Sequence, residues 1–245
     1  MPELIAAGLI LTGVLLVLLR DWRITVAALF AQYLLLGLLI SITLPADLHL
    51  GADLNSAALI EAATGLTVTL LFSITARMVV GGELTADTYA GQELDEFQQA
   101  ALRRQRRRVT RDAVQARANR RAIVGEYLLP TAALLICATA AYSLSQLYPL
   151  GRSPINDFSF YWVVLCGLFT LLLARDLIKI SIGLLVLLNG LGLLLASLGQ
   201  RPGLLVEGTQ AAVTIGLATA LSYLWLSLHA RLHSLNLDEV LRGDD

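Results

Sequence analysis

Long apolar runs separated by short polar joints dominate the chain. Seven runs can be drawn, at 3–19, 24–44, 57–80, 124–147, 158–174, 177–198 and 204–228. Their lengths are close to the roughly 20 residues that a helix needs to cross a hydrocarbon core of about 30 Å. The fifth and sixth runs are divided only by Arg175 and Asp176, which predicts a tight hairpin. The pattern predicts an all-α, polytopic membrane helix bundle with about seven transmembrane helices.

The composition favours this fold class and excludes a soluble one. Hydrophobic residues make up 56% of the 245 residues and charged residues only 15%, too few polar side chains to cover seven apolar helices in water. The first run lacks the basic residues that begin a signal peptide, so we expect it to remain as a helix. The sequence therefore predicts an integral membrane protein. We expect its membrane to be a bacterial-type cytoplasmic (inner) membrane.

Basic residues are distributed unevenly among the predicted loops and predict the orientation of the bundle. With the N-terminus outside, sixteen of the eighteen Lys and Arg residues lie on the cytoplasmic side, and only Arg152 and Arg201 lie outside. Because basic residues near membrane spans stay in the cytoplasm, we expect an outside N-terminus and a cytoplasmic C-terminus. Lys179 then lies in the first turn of the sixth span, from which its ammonium group can reach the interface.

A charged insert, 81–123, separates a three-helix N-terminal part, 1–80, from a four-helix C-terminal part, 124–245. From about Glu93 to Arg121 it contains no Gly or Pro, which predicts an amphipathic cytoplasmic helix with an acidic start and a basic end. The basic half could contact anionic lipid headgroups or a partner subunit, or it could be a solvated helix that enforces topology. Nucleic-acid binding is not expected, because no aromatic side chains lie among the arginines. The candidate contact residues are Arg103, Arg104, Arg106, Arg107 and Arg108.

Polar side chains within the spans are few, and each is costly unless it faces the bundle interior. In the third span, Glu61 shares a helix face with Gly65 and Thr69. In the seventh span, Glu207 begins a second polar stripe. The two stripes could pass ions between a neighbouring subunit and the outer surface, or each glutamate could simply reach the headgroup water. The candidate ion-path residues are Glu61, Glu207, Gln210, Thr214, Asn189 and Lys179.

Asn189 lies about ten residues into the sixth span, near the middle of the bilayer, and is followed by Gly190. In lipid an Asn-Gly pair cannot form a turn without leaving backbone groups unpaired. Gly183 and Gly190 share a face at a spacing of seven, which favours close helix packing with Asn189 bonding to a neighbouring helix. A polar step for water or protons is the alternative.

No pattern in the sequence indicates a catalytic or metal site. There is no nucleophile–base pair, no Gly-rich phosphate loop and no ligand cluster, and the three histidines are scattered. Cys137 and Cys166 lie in separate apolar runs and are interpreted as small packing residues. The sequence therefore predicts no cofactor and no catalytic residue in this chain, which leaves open whether it belongs to a larger enzyme.

Several of these segments resemble a known family. The stretch from Arg175 to Gly199, RDLIKISIGLLVLLNGLGLLLASLG, is similar to the second helix of the K subunit of complex I and of the C subunit of Mrp-type cation/proton antiporters. More of the chain resembles the seven-helix hydrogenase-4 component E type of membrane subunit, through WRITVAALFAQYLLL, ALIEAATGLTVTLLFSITARM and LHARLHSLNLDEVLRG. The segment 158–228 would then correspond to the three-helix K-like unit.

The resemblance implies a non-catalytic subunit of a proton- or cation-translocating assembly, packed beside large antiporter-like membrane subunits. Its relatives carry a glutamate in the sixth span where this chain has Leu185 or Leu188, and a lysine where it has Glu61. The family role would then fall to Glu61 and Glu207, in the outer half of the membrane. The other classes weighed are a stand-alone small transporter or channel, which would need a repeat or broken helices around a midplane site, and a purely structural or assembly protein.

Overall fold

The computed structural model describes residues 2–19, 21–43, 56–88, 120–150, 153–174, 176–197 and 204–232. These residues form seven α-helices, which confirms the all-helical fold class. Their bounds are α1 Pro2–Leu18, α2 Trp22–Thr43, α3 Ser56–Thr88, α4 Arg120–Leu147, α5 Pro154–Leu172, α6 Leu177–Ser197 and α7 Leu204–Leu232.

Six of the helices in the described residues, α2 to α7, are long and apolar enough to cross a membrane. The seventh, α1, has 17 residues and is shorter than these. Two predicted boundaries differ from the structure, since α3 continues to Thr88, beyond the predicted end of the third span, and α4 already begins at Arg120. The segment between them lies outside the described residues, and so do the five arginines from Arg103 to Arg108 and most of the helix predicted there.

The helices form two layers. One layer contains α1, α2 and α3, and the other contains α4, α5, α6 and α7. Within the first layer, α2 packs along α1 and α3; within the second, α5 packs along α4 and α6, and α6 also contacts α7. Between the layers, α1 contacts α5 and the edge of α4, α2 contacts α6, and α3 contacts α7. The N-terminal three helices and the C-terminal four therefore share one core.

The hairpin of α5 and α6 is the most closely packed pair, as the short Arg175-Asp176 joint predicts. Gly167 of α5 faces Gly183 of α6, and a methyl group built on Gly190 would lie 2.5 Å from the side chain of Val164. The close packing expected at Gly183 and Gly190 is therefore present, with α5 as the partner helix. Small residues allow such close approach of helices in a membrane.

Large apolar side chains cover the outside of the bundle. Leu135 of α4 is 70% exposed, and Tyr223 of α7 is 73% exposed. A soluble protein rarely exposes so much contiguous apolar surface, whereas lipid-facing helices do so along their length. The exposed faces therefore support an integral membrane location.

Candidate functional site

Polar side chains from α2, α3, α6 and α7 converge in one half of the bundle. This half ends where α3 and α7 begin. We call that end the acidic end, because Glu207 lies in the first turn of α7 and Glu61 lies in the second turn of α3. The opposite end, where α2 and α6 begin, carries Arg23 and Lys179 and is called the basic end. The polar cluster consists of Tyr33, Glu61, Asn189, Glu207 and Gln210.

Glycines bring α2 and α3 into close contact at the polar cluster. A methyl group built on Gly37 of α2 would lie 3.1 Å from Cβ of Glu61, and one built on Gly65 of α3 would lie 2.5 Å from Cβ of Tyr33. Tyr33 itself is 1% exposed. Glu61 and Gly65 thus share a helix face, as their spacing predicts, and the structure shows that α2 packs against that face. A Cβ at Gly65 would displace Tyr33, so the glycine determines where that hydroxyl lies.

Electrostatic contacts link the cluster across four helices. The carboxyl groups of Glu61 and Glu207 are close enough for their charges to interact, although they belong to α3 and α7. Glu61 in turn interacts with the Tyr33 phenol, whose hydroxyl lies beside the Asn189 side chain of α6. The cluster therefore contains titratable and polar groups from all four helices, between the acidic end and the middle of the bundle.

Several polar atoms of the cluster are shielded from solvent and have no hydrogen-bond partner in the described part of the chain. They are Tyr33 Oη, Asn189 Nδ2 and Glu207 Oε2, and the adjacent Gln32 amide, which is 0% exposed, has neither its oxygen nor its nitrogen paired. The Tyr33–Asn189 pair is thus near contact but short of good hydrogen-bond geometry. Buried unpaired polar groups cost free energy and normally mark the position of bound water or ions.

Gln210 and Thr214 extend the polar stripe of α7 towards the bundle interior. The Gln210 side-chain amide lies against Gly192 of α6, where any larger residue would collide with it. Thr214 is 2% exposed, and its hydroxyl donates to the Gln210 carbonyl oxygen at 2.8 Å. The Thr214 hydroxyl is therefore occupied by its own helix, whereas the Gln210 side chain lies at the contact between α6 and α7.

Lys179 is not part of this cluster. Its Nζ donates to the backbone carbonyl oxygen of Val17 at 3.3 Å, at the basic end of the bundle. Val17 lies in the last turn of α1, where carbonyl groups lack intrahelical partners and a positive charge is favourable. The sequence places Lys179 among the ion-path candidates, but the structure gives it a contact that joins α6 to α1.

Aromatic packing fills the space between α3, α6 and α7 in the basic half. The rings of Phe72 and Trp225 have centroids 4.6 Å apart, and both side chains are 0% exposed. The Trp225 indole Nε1 donates to the Ser181 hydroxyl at 2.8 Å. The three helices therefore meet through large aromatic side chains in the basic half, whereas polar side chains lie between helices in the acidic half.

Two features of the site are not evident from the sequence pattern. Tyr33 counts there as an apolar position of the second span, and only its contact with Gly65 shows that its hydroxyl lies among the polar groups. Cys137 of α4 and Cys166 of α5, which belong to separate apolar runs, have thiols that lie near each other, and both cysteines are free and buried. No group of three or more potential metal ligands occurs in the described residues.

Comparison of the chain with protein-family models, curated proteins and solved structures gives no match.

Proposed function

We propose that this chain is a non-catalytic membrane subunit of a proton- or cation-translocating assembly related to complex I, hydrogenase-4 and Mrp-type antiporters. It would pack beside large antiporter-like subunits and contribute the part of an ion path that leads from the acidic end to mid-bundle. The observation that carries the proposal is the approach of Glu61 to Glu207, together with the contacts of Tyr33 to Glu61 and Asn189.

The charge environment of the two carboxyl groups supports exchange of a cation or a proton. The basic side chains that the structure describes lie towards the basic end, at Arg23, Arg77, Lys179 and His229. Neither glutamate therefore has a permanent positive partner in this part of the chain. Two neighbouring carboxyl groups of like charge favour binding a proton or a metal cation between them.

The limited extent of the polar cluster favours a subunit over a stand-alone channel. Polar groups reach mid-bundle at Asn189 and Gln32, whereas Phe72 and Trp225 pack tightly in the basic half. A path confined to this chain would have to pass that aromatic contact. A path shared with a neighbouring subunit can leave the bundle at mid-depth, which is the arrangement that the sequence resemblance implies.

The test of the ion path is the double substitution E61Q/E207Q, which preserves size and polarity but removes both titratable groups. Ion translocation is measured in membrane vesicles that contain the native assembly, after normalisation to the amount of assembled complex. We expect the double variant to assemble and to lose most of its translocation activity. The matched control is E3Q, because Glu3 is an exposed carboxylate in the first turn of α1. Wild-type translocation by assembled E61Q/E207Q would exclude the ion-path role.

The partner is tested separately by affinity purification of the tagged chain in mild detergent from its native membrane. Co-purification of large antiporter-like membrane chains is the expected result. A stable oligomer that contains only this chain would contradict the subunit proposal and favour a stand-alone transporter. The two experiments therefore test the ion path and the assembly independently.

A further inference from the structure

A groove with a volume of about 520 Å³ lies between α2 and α3 at the basic end. Arg23, at the start of α2, and Arg77, near the end of the lipid-spanning part of α3, both line it. The remaining lining residues are Trp22, Val26, Ala27, Thr69 and Ser73. We call it the arginine groove; it is on the opposite half of the molecule from the polar cluster.

Along its length the lining of the arginine groove changes from charged side chains to uncharged ones, which are apolar on α2 and carry hydroxyl groups on α3. Thr69, Ser73 and Arg77 are four residues apart on α3, so the groove runs for about 12 Å along that helix. Val26 and Ala27 provide an apolar wall on α2. A cationic end followed by an apolar wall is complementary to a ligand with an anionic head and an apolar tail.

The two guanidinium groups have no carboxylate partner within the described part of the chain. The Arg23 guanidinium carbon lies 5.5 Å from the centroid of the Trp22 ring, which orients it at the mouth of the groove. Asp21 brings one negative charge to this end, and its Oδ1 accepts a hydrogen bond from the Arg23 backbone N–H at 3.0 Å. The mouth therefore has a net positive charge, and the two guanidinium forks are suited to the oxygens of a phosphate group.

Thr69 provides a polar atom deeper in the groove that lacks a partner. Its Oγ1 is shielded from solvent and has no hydrogen-bond partner in the described residues. On the same helix the hydroxyls of Thr64, Thr67 and Thr75 each donate to the carbonyl oxygen four residues earlier, at 2.7 to 2.8 Å. Among the described hydroxyl side chains of α3, Thr69 is therefore the one without a partner, and it lines the groove.

We propose that the arginine groove binds an anionic phospholipid, with the phosphodiester between Arg23 and Arg77 and an acyl chain along Val26 and Ala27. A lipid fits better than a free phosphate ion because the groove continues beyond its charged mouth. The neighbouring positions of α3 also face lipid: Leu70 is 52% exposed and Ile74 is 51% exposed. Basic pockets between transmembrane helices are known recognition sites for anionic headgroups.

Trp22 provides a local reporter for the test. It lines the groove, whereas Trp162 is 3% exposed and Trp225 is 0% exposed within the bundle. The full-length chain is placed in phosphatidylcholine nanodiscs that contain either brominated phosphatidylglycerol or brominated phosphatidylcholine at the same mole fraction. Bromine quenches tryptophan only at short range. We expect phosphatidylglycerol to be preferred at Trp22 by roughly tenfold, since each arginine near the surface favours an anionic lipid.

Matched variants test whether the preference for phosphatidylglycerol arises in the arginine groove. R23Q/R77Q is expected to abolish the preference, and R23K/R77K is expected to retain most of it, because the positive charge remains. R152Q/R201Q removes the same charge from positions that the basic-residue pattern predicts on the opposite side of the membrane, and this variant should quench like the wild type. W22F should eliminate the component of the fluorescence that the brominated lipid quenches.

Three results would overturn the proposal. Equal quenching of the wild type by the two brominated lipids would show that the groove does not select an anionic headgroup. An unchanged preference in R23Q/R77Q would place the selective site elsewhere. Loss of the preference on adding millimolar inorganic phosphate at constant ionic strength would identify a free anion as the occupant.

Discussion

Gly167 of α5 and Gly183 of α6 face each other so closely that a methyl group built on either would lie 3.1 Å from the carbonyl oxygen of the other. A methyl on Gly167 would also lie 2.8 Å from the backbone nitrogen of Leu187. Backbone atoms of a packed helix cannot move away as the end of a flexible side chain can. The separation of α5 and α6 therefore depends on these two glycines, and α6 also carries Asn189.

Gly167→Ala is expected to destabilise the bundle by about 1–3 kcal/mol, because two packed helices must separate to accept the methyl group. Gly216→Ala on α7 is the matched control, since a methyl group there has no neighbour within 4 Å. Its expected effect is no change or a gain of up to about 1 kcal/mol from helix propensity. Unfolding is measured in bicelles by titration with a denaturing detergent. Equal stability of the two variants would contradict the helix contact described here.

Cys137 and Cys166 are expected to form an intramolecular disulfide when membranes are treated with a lipid-soluble oxidant such as copper phenanthroline. The two thiols are neighbours across α4 and α5, so a movement of the side chains can bring the sulfur atoms to bonding distance. The measurement is the loss of maleimide labelling of the denatured protein, with its recovery on reduction. The single variants C137A and C166A should keep their remaining thiol reactive after oxidation. Full labelling of the oxidised wild type would show that α4 is packed differently.

Tyr33→Phe is expected to reduce ion translocation without lowering the stability of the bundle. The Tyr33 hydroxyl has no hydrogen-bond partner in the described residues, so its removal should leave the free energy of unfolding unchanged or slightly higher. Translocation by the assembled complex should fall, because the link from Glu61 to Asn189 is lost. Tyr127→Phe, at a 52% exposed position of α4, is the control and should change neither quantity. Normal translocation by Y33F would remove Tyr33 from the proposed path.

Trp225 and Ser181 are expected to be energetically coupled. A double-mutant cycle of W225F and S181A should give a coupling energy of roughly 0.5–1.5 kcal/mol, the range for a buried interhelical hydrogen bond. Ser181 also donates to the Leu177 carbonyl oxygen at 2.8 Å, so S181A alone removes two bonds and the cycle is needed to isolate the pair. Additive effects of the two substitutions, within about 0.3 kcal/mol, would indicate that the indole–hydroxyl bond contributes nothing.

The sequence by itself determined where the helices form and which polar and small residues share a helix face. Apolar runs of membrane-spanning length can only be helical, because backbone groups in lipid must be paired within the segment. The spacing of Glu61 and Gly65 likewise determined that both lie on one face of α3, and the spacing of Gly183 and Gly190 indicated a close helix contact. These are local consequences of helix geometry, so they need no knowledge of neighbouring helices.

Only the tertiary structure decided which helices meet. All the spans are apolar on most of their faces, and lipid is as apolar as they are, so the pattern contains little information about partners. The fit of small residues against particular side chains supplies that information, as Gly65 does against Tyr33 and Gly192 against Gln210. The approach of Glu61 to Glu207, the proximity of the two cysteines and the position of Arg23 and Arg77 on one groove all follow from that packing. Each depends on residues that are far apart in the chain and therefore leaves no periodic signal in the sequence.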